Sequence, residues 1–251
     1  MNWEDLVVWY VAGPYRSKIG AYGILKNIDK ARDVGVDLIK LGIVPSIPHL
    51  NTALFDNAAD DSVWLQGDLV MISRSGALVT VEGWEDSSGT RDEVDYCRGA
   101  DKNVYHSQGR FSSLDELKLD IEAPTRTVKL PDLQLAGVIG PYNCGLIGLQ
   151  GREQNIHKAQ LRALEIWNQN IPTFCPQKNF AHLDYFLDDH GPGTRQQYVF
   201  AALNRCDFAV TMDDWRNDKH AREQVEFCKG LNISVYQPEG KFTGIENCLE
   251  L

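Results

Sequence analysis

The sequence predicts an α/β protein made of two tandem units, each a parallel sheet flanked by helices, in which the second unit is degenerate. Two observations lead to this prediction. Apolar segments typical of buried strands alternate with segments whose apolar residues recur at helical spacing, and such alternation implies parallel strands with helices on both faces. This order of segments also occurs twice within the 251 residues. A chain of this length can form one large domain or two small ones, each with its own core.

The elements of the first unit follow from these patterns. LVVWYVAG (6–13) is an almost continuous apolar run, as in a strand that is buried on both faces. Residues 24–41 carry apolar side chains at helical spacing, and Gly42 is a typical helix end. The remaining predicted elements are a strand in IVPSIP (43–48), a helix over 62–73, a strand in GALVTVEG (76–83), a helix over 88–101 and a final strand in NVYHS (103–107).

The repeat is clearest in two segments that align without a gap. GALVTVEGWEDSSGTRDEVDYCRG (76–99) matches DFAVTMDDWRNDKHAREQVEFCKG (207–230), with residue numbers that differ by 131 throughout. Identical residues stand at Val79/Val210, Thr80/Thr211, Trp84/Trp215, Arg91/Arg222, Val94/Val225, Cys97/Cys228 and Gly99/Gly230. Similar pairs lie upstream, namely VAGPYR (11–16) with VIGPYN (138–143) and NIDKA (27–31) with NIHKA (155–159). We therefore predict a tandem duplication.

The predicted units cover residues 1–120 and 133–251, with a linker around EAPTRTVKLPD (122–132). The formal net charge is −10, and Lys and Arg form no cluster, so duplex nucleic acid is not expected as a partner. No apolar run is long enough for a bilayer, and the acidic N-terminus does not resemble a signal peptide, so we expect a cytoplasmic protein without membrane contact. The six cysteines include no CxxC pair, and we expect reduced, packed thiols.

The predicted site lies where strands end. In parallel sheets, ligands bind beyond the carboxyl ends of the strands, and both GPYR (13–16) and WEDSSG (84–89) follow predicted strands. Ser88 and Gly89 open the next helix, whose free N–H groups suit an anion or the oxygens of a sugar. A serine here is also a good helix cap, and from the residues alone the cap is the favoured role. Both segments should face one crevice.

Three polar residues distinguish the first unit from the second. A lone Glu93 would be read as a solvated acid on a helix face. However, Glu93 corresponds to Gln224, Asp68 in WLQGDLVM to Val199, and Tyr10 to Gly137. The joint loss of these three groups favours one working site and one retired site. A tyrosine, an aspartate and a glutamate in a cleft suit a retaining displacement at an anomeric carbon, in which a carboxylate forms a covalent glycosyl-enzyme.

The motifs YVAGPYR (10–16), NIDKA (27–31), the helix with Asp68 and SGTRDE (88–93), in this order, resemble the nucleoside 2-deoxyribosyltransferase superfamily, including its nucleotide N-glycosidase branch and small phage-type relatives. The resemblance covers the whole first unit. It implies a Rossmann-like (flavodoxin-like) fold and cleavage of the bond between base and sugar in a nucleoside or nucleotide, without a cofactor. It also implies that Glu93 is the nucleophile and Tyr10 its hydrogen-bond partner.

The resemblance further implies that Asp68 handles the base and its proton, and that Ser88 and Gly89 lie near the 5′ end of the sugar. The transferases usually carry an aspartate where this chain has Ser87, and the resulting Ser-Ser-Gly loop favours a 5′-monophosphate. Arg16 could add a positive charge there, or it could be a surface arginine. Gly13, Pro14 and His49 complete the predicted substrate-binding set.

His49 follows the second strand and could stack on a base, although capping the strand is the favoured role. Family members complete their site with a neighbouring subunit. The second unit could take that part inside one chain, with IENCLEL (245–251) reaching the first site, or two chains could form a homodimer. Asp188, Asp189 and His190 look like a metal cluster, but no further ligand group accompanies them and no metal is expected. Two alternatives stay open, a non-catalytic nucleotide sensor and an NAD glycohydrolase.

Overall fold

The computed structural model describes residues 2–53, 55, 58, 60–142, 148–181, 183, 187 and 194–251, with only the backbone of residues 148 and 149. Asp188, Asp189 and His190 lie outside the described residues. The protein is of the α/β class, with two mainly parallel five-stranded sheets flanked by helices. Within the described ranges, no helix combines the length and the apolar character needed to cross a membrane.

The first sheet has the strand order β2-β1-β3-β4-β5. Its strands are β1 (Val8–Ala12), β2 (Val44–Ser46), β3 (Ala77–Thr80), β4 (Asn103–His106) and β5 (Lys118–Leu119). Four of them are parallel, and β5 runs antiparallel to β4. The connecting helices are α1 (Ala21–Lys40), α2 (Pro48–Asn51), α3 (Asp61–Ser73) and α4 (Ser88–Gly99). All residues of β1, β2 and β3 are buried, as their apolar sequences predict.

The second sheet has the matching strand order β7-β6-β8-β9-β10. Its strands are β6 (Ala136–Ile139), β7 (Thr173–Phe174), β8 (Phe208–Thr211), β9 (Ser234–Pro238) and β10 (Cys248–Glu250). The helices are α5 (Gly148–Trp167), α6 (Pro176–Asn179), α7 (Thr194–Leu203) and α8 (Lys219–Gly230). The described part of residues 121–135, between the sheets, contains neither helix nor strand.

Two features of the fold differ from the sequence-based expectations. The short antiparallel strands β5 and β10 were not predicted, because two or three residues carry no readable alternation. The expectation that residues 245–251 reach the first site is wrong. Residues 248–250 form β10, which pairs with β9 at the outer edge of the second sheet, and Leu251 donates its N–H to the carbonyl of Val235 at 2.9 Å.

A reciprocal pair of asparagines joins the two halves. The Asn51 side chain donates to the carbonyl of Thr173 at 2.7 Å and accepts from the N–H of Cys175 at 2.7 Å. The Asn179 side chain donates to the carbonyl of Pro45 at 2.8 Å and accepts from the N–H of Ile47 at 2.7 Å. Asn51 ends α2 and bonds residues in and after β7, the strand that precedes α6. Asn179 ends α6 and bonds residues in and after β2, the strand that precedes α2. The interface therefore has the self-complementary pattern of a two-fold dimer.

Candidate active site

One cavity of about 780 Å³ lies beyond the carboxyl ends of β1 and β3. Its volume is within the range of small-molecule sites. Nine predicted site residues line it: Gly13, Pro14, Arg16, His49, Asp68, Ser87, Ser88, Gly89 and Glu93. The tenth, Tyr10, is fully buried in β1 next to this cavity, where it contacts Glu93. The structure therefore brings the predicted residues together at one place.

Tyr10 and Glu93 form the centre of the site. The Tyr10 hydroxyl donates to Glu93 Oε1 at 3.0 Å, and Glu93 is only 6% exposed. Tyr10 is the third residue of β1, and Glu93 is the sixth of α4, so the helix places its acid over the end of the central strands. The reading of Glu93 as a solvated surface acid is wrong, because the side chain faces the cavity and the strand.

Burial and the nearby carboxyl of Asp68 raise the pKa of Glu93 well above its ordinary 4.5, and the hydrogen bond from Tyr10 opposes that rise. Burial, together with the negative charges of Asp68 and Glu93, also raises the pKa of Tyr10 well above 10.0. The phenol therefore stays protonated near neutral pH and remains a donor. A donor aimed at a buried carboxylate stabilises its ionised, nucleophilic form.

Asp68 is the second carboxyl of the cavity. It lies in α3 and is partly buried. Removal from water raises its pKa from 3.8 to about 7, and the Tyr10 hydroxyl opposes this rise. Each carboxyl opposes ionisation of the other, so the two groups titrate as a coupled pair whose protons belong to both residues. Such a pair offers one nucleophile and one acid in the same cavity.

The N-terminus of α4 forms another part of the cavity wall. Ser87 is the helix cap, and its Oγ accepts the N–H of Thr90 at 3.2 Å. The cap expected for a serine here is therefore present, although Ser87 rather than Ser88 supplies it. Ser88 and Gly89 are the first residues of the helix, where N–H groups have no partner within the helix. These groups are suited to a ligand anion.

The turn after β1 is held by close packing and by polar contacts. A Cβ on Gly13 would lie 2.3 Å from Val81 Cγ2, so only glycine fits where the turn passes the end of β3. The Asn27 amide donates to the carbonyl of Tyr15 at 3.1 Å and to that of Arg16 at 3.3 Å. Arg16 also forms an exposed ion pair with Asp61, and both line the cavity.

His49 both supports this turn and lines the cavity. Its Nε2 bonds the carbonyl of Pro14 at 3.1 Å, and its ring is 4% exposed. Burial lowers the pKa of His49 to about 4, so the imidazole is neutral and Nε2 is the donor. His49 therefore braces the turn after β1, a contact different from the expected cap of β2, and its ring also borders the ligand space.

Sequence analysis missed an aromatic wall of the cavity. Phe55 and Trp64 both line it, with ring centroids 6.0 Å apart. Trp64 stands four residues before Asp68 on α3, and residues at this spacing share one helix face. That spacing could have indicated Trp64 as a neighbour of the acid. No comparable pattern points to Phe55.

The equivalent region of the second half lacks the acids. In the first sheet, Tyr10 pairs with Ser46 of β2 and Leu78 of β3. In the second sheet, Gly137 pairs with Phe174 of β7 and Ala209 of β8. Tyr10 and Gly137 therefore occupy equivalent positions of the two central strands, as predicted. Space for a tyrosine is absent, because a Cβ on Gly137 would lie 2.6 Å from Leu203 Cδ2. The remaining positions carry the buried side chains of Val199 and Gln224.

Comparisons of the chain with protein-family models, with curated proteins and with solved structures gave no significant match. Among the described residues, no three or more His, Cys, Asp or Glu side chains are grouped to hold a metal ion. The site combines two carboxyls with raised pKa values, a buried phenol, a helix N-terminus and an aromatic wall.

Proposed function

We propose that this protein cleaves the N-glycosidic bond of a nucleoside or nucleoside 5′-monophosphate through a covalent glycosyl intermediate on Glu93. The observation that carries the proposal is the hydrogen bond from buried Tyr10 to Glu93 in the cavity that also contains Asp68. A buried carboxylate that accepts a hydrogen bond from a fixed phenol is an aimed nucleophile. The second carboxyl, with a pKa of about 7, supplies a proton donor near neutral pH.

The proposed reaction has two displacements at the anomeric carbon. First, the Glu93 carboxylate attacks C1′, the bond from C1′ to the base nitrogen breaks, and Asp68 gives its proton to the departing base. Then the Asp68 carboxylate takes a proton from water, the water oxygen attacks C1′, and the Glu93 carboxylate leaves. Two inversions retain the configuration of the sugar. If a second base replaces water, the product is a new nucleoside and the reaction is a glycosyl transfer.

The walls of the cavity indicate how the substrate would be oriented. Trp64 offers a partly exposed ring to the base, with buried Phe55 packed beside it, and stacking on an aromatic ring accepts any nucleobase. The N–H groups of Ser88 and Gly89 lie at the helix N-terminus, which favours a negatively charged group. Arg16 adds a cation on the same cavity. We therefore place the base against the aromatic wall and favour a 5′-phosphate at the start of α4.

We also propose that the chain is a tandem duplication of a Rossmann-like unit of the nucleoside 2-deoxyribosyltransferase superfamily. Three paired features support this history. The two sheets have matching strand orders, and Asn51 and Asn179 make reciprocal bonds. In addition, both halves have a glycine packed against the residue that follows a strand. A Cβ on Gly13 would lie 2.3 Å from the residue after β3, and a Cβ on Gly140 would lie 2.1 Å from the residue after β8. The halves would then pair within one chain as two subunits pair in a dimer.

Intact-protein mass spectrometry tests the proposed function. The protein is mixed with nucleosides, 2′-deoxynucleosides, their 5′-monophosphates and NAD, and released base is measured in the same samples. We expect a sugar-sized mass increase on the wild type, none on Glu93→Gln, and free base from one class of substrate. Nicotinamide release would identify the NAD glycohydrolase. If no substrate gives base or adduct but nucleotides raise the melting temperature, the nucleotide sensor is favoured.

A further inference from the structure

The second half reaches the aromatic wall from behind, although the described residues that line the cavity all belong to the first half. Phe55 is 2% exposed and packs in a hydrophobic cluster whose other buried members, from Ala136 to Phe242, all belong to the second half. Trp64 and Val63 pack against the same cluster. One wall of the first site is therefore anchored in the core of the other half.

Two side chains of the second half, Trp167 and Lys178, contact the aromatic residues of this wall. The Trp167 ring lies 4.7 Å from the Trp64 ring, measured between centroids. Trp167 also covers Gly67, the residue before Asp68, where a Cβ would lie 2.1 Å from the Trp167 ring. Any larger residue at Gly67 would push α3 away from Trp167. This contact therefore fixes the distance of α3, with Trp64 and Asp68, from the second half.

Lys178 holds the other end of the wall. It ends in an ammonium that donates to the carbonyl of Ala53 at 2.6 Å and lies 4.7 Å from the centroid of the Phe55 ring. The residue is 6% exposed, so both contacts are shielded from water. A cation above an aromatic ring and a charge-assisted hydrogen bond are each stronger in such surroundings. They fix both the backbone before Phe55 and the plane of its ring.

We propose that Lys178 and Trp167 are positioning residues, through which the second half sets the aromatic wall against which the first site binds a nucleobase. The inference rests on the proposed function. It assigns to the second half an indirect part in base recognition, at a site whose proposed catalytic residues lie in the first half. Neither residue touches the reacting atoms, so both act through Phe55 and Trp64.

Two ligands that fill different parts of the cavity test this inference. Free nucleobases (adenine, guanine, cytosine and thymine) probe the aromatic wall, and 2-deoxyribose 5-phosphate probes the sugar end. Their inhibition constants are measured against the best 5′-monophosphate substrate for the wild type, Lys178→Met, Lys178→Arg and Trp167→Phe. Lys102→Met is the matched control. Like Lys178, Lys102 bonds a backbone carbonyl, that of Ser75 at 2.7 Å, and neither Lys102 nor Ser75 lines the cavity.

We expect Lys178→Met to weaken base binding and raise the KM about tenfold, a part of the effect of losing one stacked base. The inhibition constant of 2-deoxyribose 5-phosphate and the kcat should change less than about twofold. Lys178→Arg should recover part of the loss, because it keeps the cation. Trp167→Phe should act in the same direction with less effect, since a smaller ring still fills most of the space behind Trp64.

Equal weakening of base and sugar phosphate would indicate general damage and overturn the inference. Unchanged base binding in both Lys178→Met and Trp167→Phe, at the level of Lys102→Met, would also overturn it while leaving the proposed function intact. If the wild type itself releases no base from any substrate, the proposed function is wrong and the inference falls with it. Melting temperatures of all variants separate these outcomes from loss of the folded state.

Discussion

The two halves of this chain share a plan and differ in their chemistry. In the first half, a tyrosine hydroxyl bonds a buried glutamate at 3.0 Å beside a second carboxyl. In the second half, the residue at the place of the glutamate is Gln224, whose amide meets Gln196 at 3.5 Å, and the strand position of the tyrosine is Gly137. The sheets, the glycine turns and the asparagine interface are kept in both. The comparison shows that this scaffold does not require the acids, whose burial costs stability.

Replacement of Glu93, the proposed nucleophile, should have the largest effect. Glu93→Gln should lower kcat by more than about 10³-fold, because an amide cannot form the glycosyl ester. The fold should be retained, since the second half already carries Gln224 at this place. Single-turnover base release and circular dichroism measure both. The control is Glu223→Gln, whose side chain is 42% exposed. A Glu93→Gln variant with more than a tenth of wild-type kcat would rule out this nucleophile.

Loss of the Asp68 proton should have the next largest effect. The pKa of Asp68 is raised to about 7, so kcat should fall as pH rises above 7 and the acid becomes ionised. Asp68→Asn should lower kcat by about 10²- to 10⁴-fold and remove this dependence on pH. A substrate with a cationic base, such as 7-methylguanosine 5′-monophosphate, leaves without a proton and should lose much less. Equal losses for both substrates would contradict an acid role.

Asp68 should also change how the free energy of unfolding depends on pH. Because the pKa of Asp68 is higher in the folded state than its ordinary 3.8, ionisation costs stability. The free energy of unfolding should therefore fall as pH rises from about 4 to about 7, and part of this fall should be absent in Asp68→Asn. Urea denaturation at several pH values measures it. An Asp68→Asn variant with the wild-type slope would contradict the raised pKa.

The reciprocal interface predicts two matched losses of stability. Asn51→Leu leaves the carbonyl of Thr173 and the N–H of Cys175 without their hydrogen-bond partner. Asn179→Leu does so for the carbonyl of Pro45 and the N–H of Ile47. Each change should cost about 3 kcal/mol, because each leaves two buried polar groups unpaired. Asn247→Ala, at an exposed site, is the control in urea denaturation. A large loss in one variant and none in the other would break the proposed symmetry.

The smallest effect on activity is expected from placing an acid in the second half. Gln224→Glu returns one acid, but Val199 and Gly137 offer neither a proton donor nor a phenol. We expect one sugar adduct per chain, as in the wild type. The buried acid should lower the free energy of unfolding by about 1–3 kcal/mol at pH 7. Two adducts per chain in mass spectrometry would show that the second half needs only its glutamate to react.

Sequence alone predicted the alternation of strands and helices, and it predicted that ten residues lie around one site. It succeeded because buried parallel strands are apolar along their length, and because their carboxyl ends meet at one edge of the sheet. The repeat added the key comparison, since it separated Glu93 from an ordinary surface acid.

The contacts across the two halves could not be predicted in this way. Asn51 bonds residues that lie 122 and 124 positions later in the chain, and no local periodicity records such a pairing. The same holds for Phe55, whose place in the cavity wall depends on the core of the other half. Strands β5 and β10 are too short for a pattern. Local propensity thus predicts elements and the chemistry at their ends, whereas the packing of one half on the other needs coordinates.

The asparagine interface has a consequence for how the protein responds to dilution. In a dimer of separate subunits, such contacts dissociate as the concentration falls, and the unfolding temperature falls with it. Here both partners of every bond belong to one chain, so their effective concentration is set by the connecting segment. The paired state should therefore persist at nanomolar protein, and the two halves are always present in equal number. The half without the acids can then never displace the half that carries them.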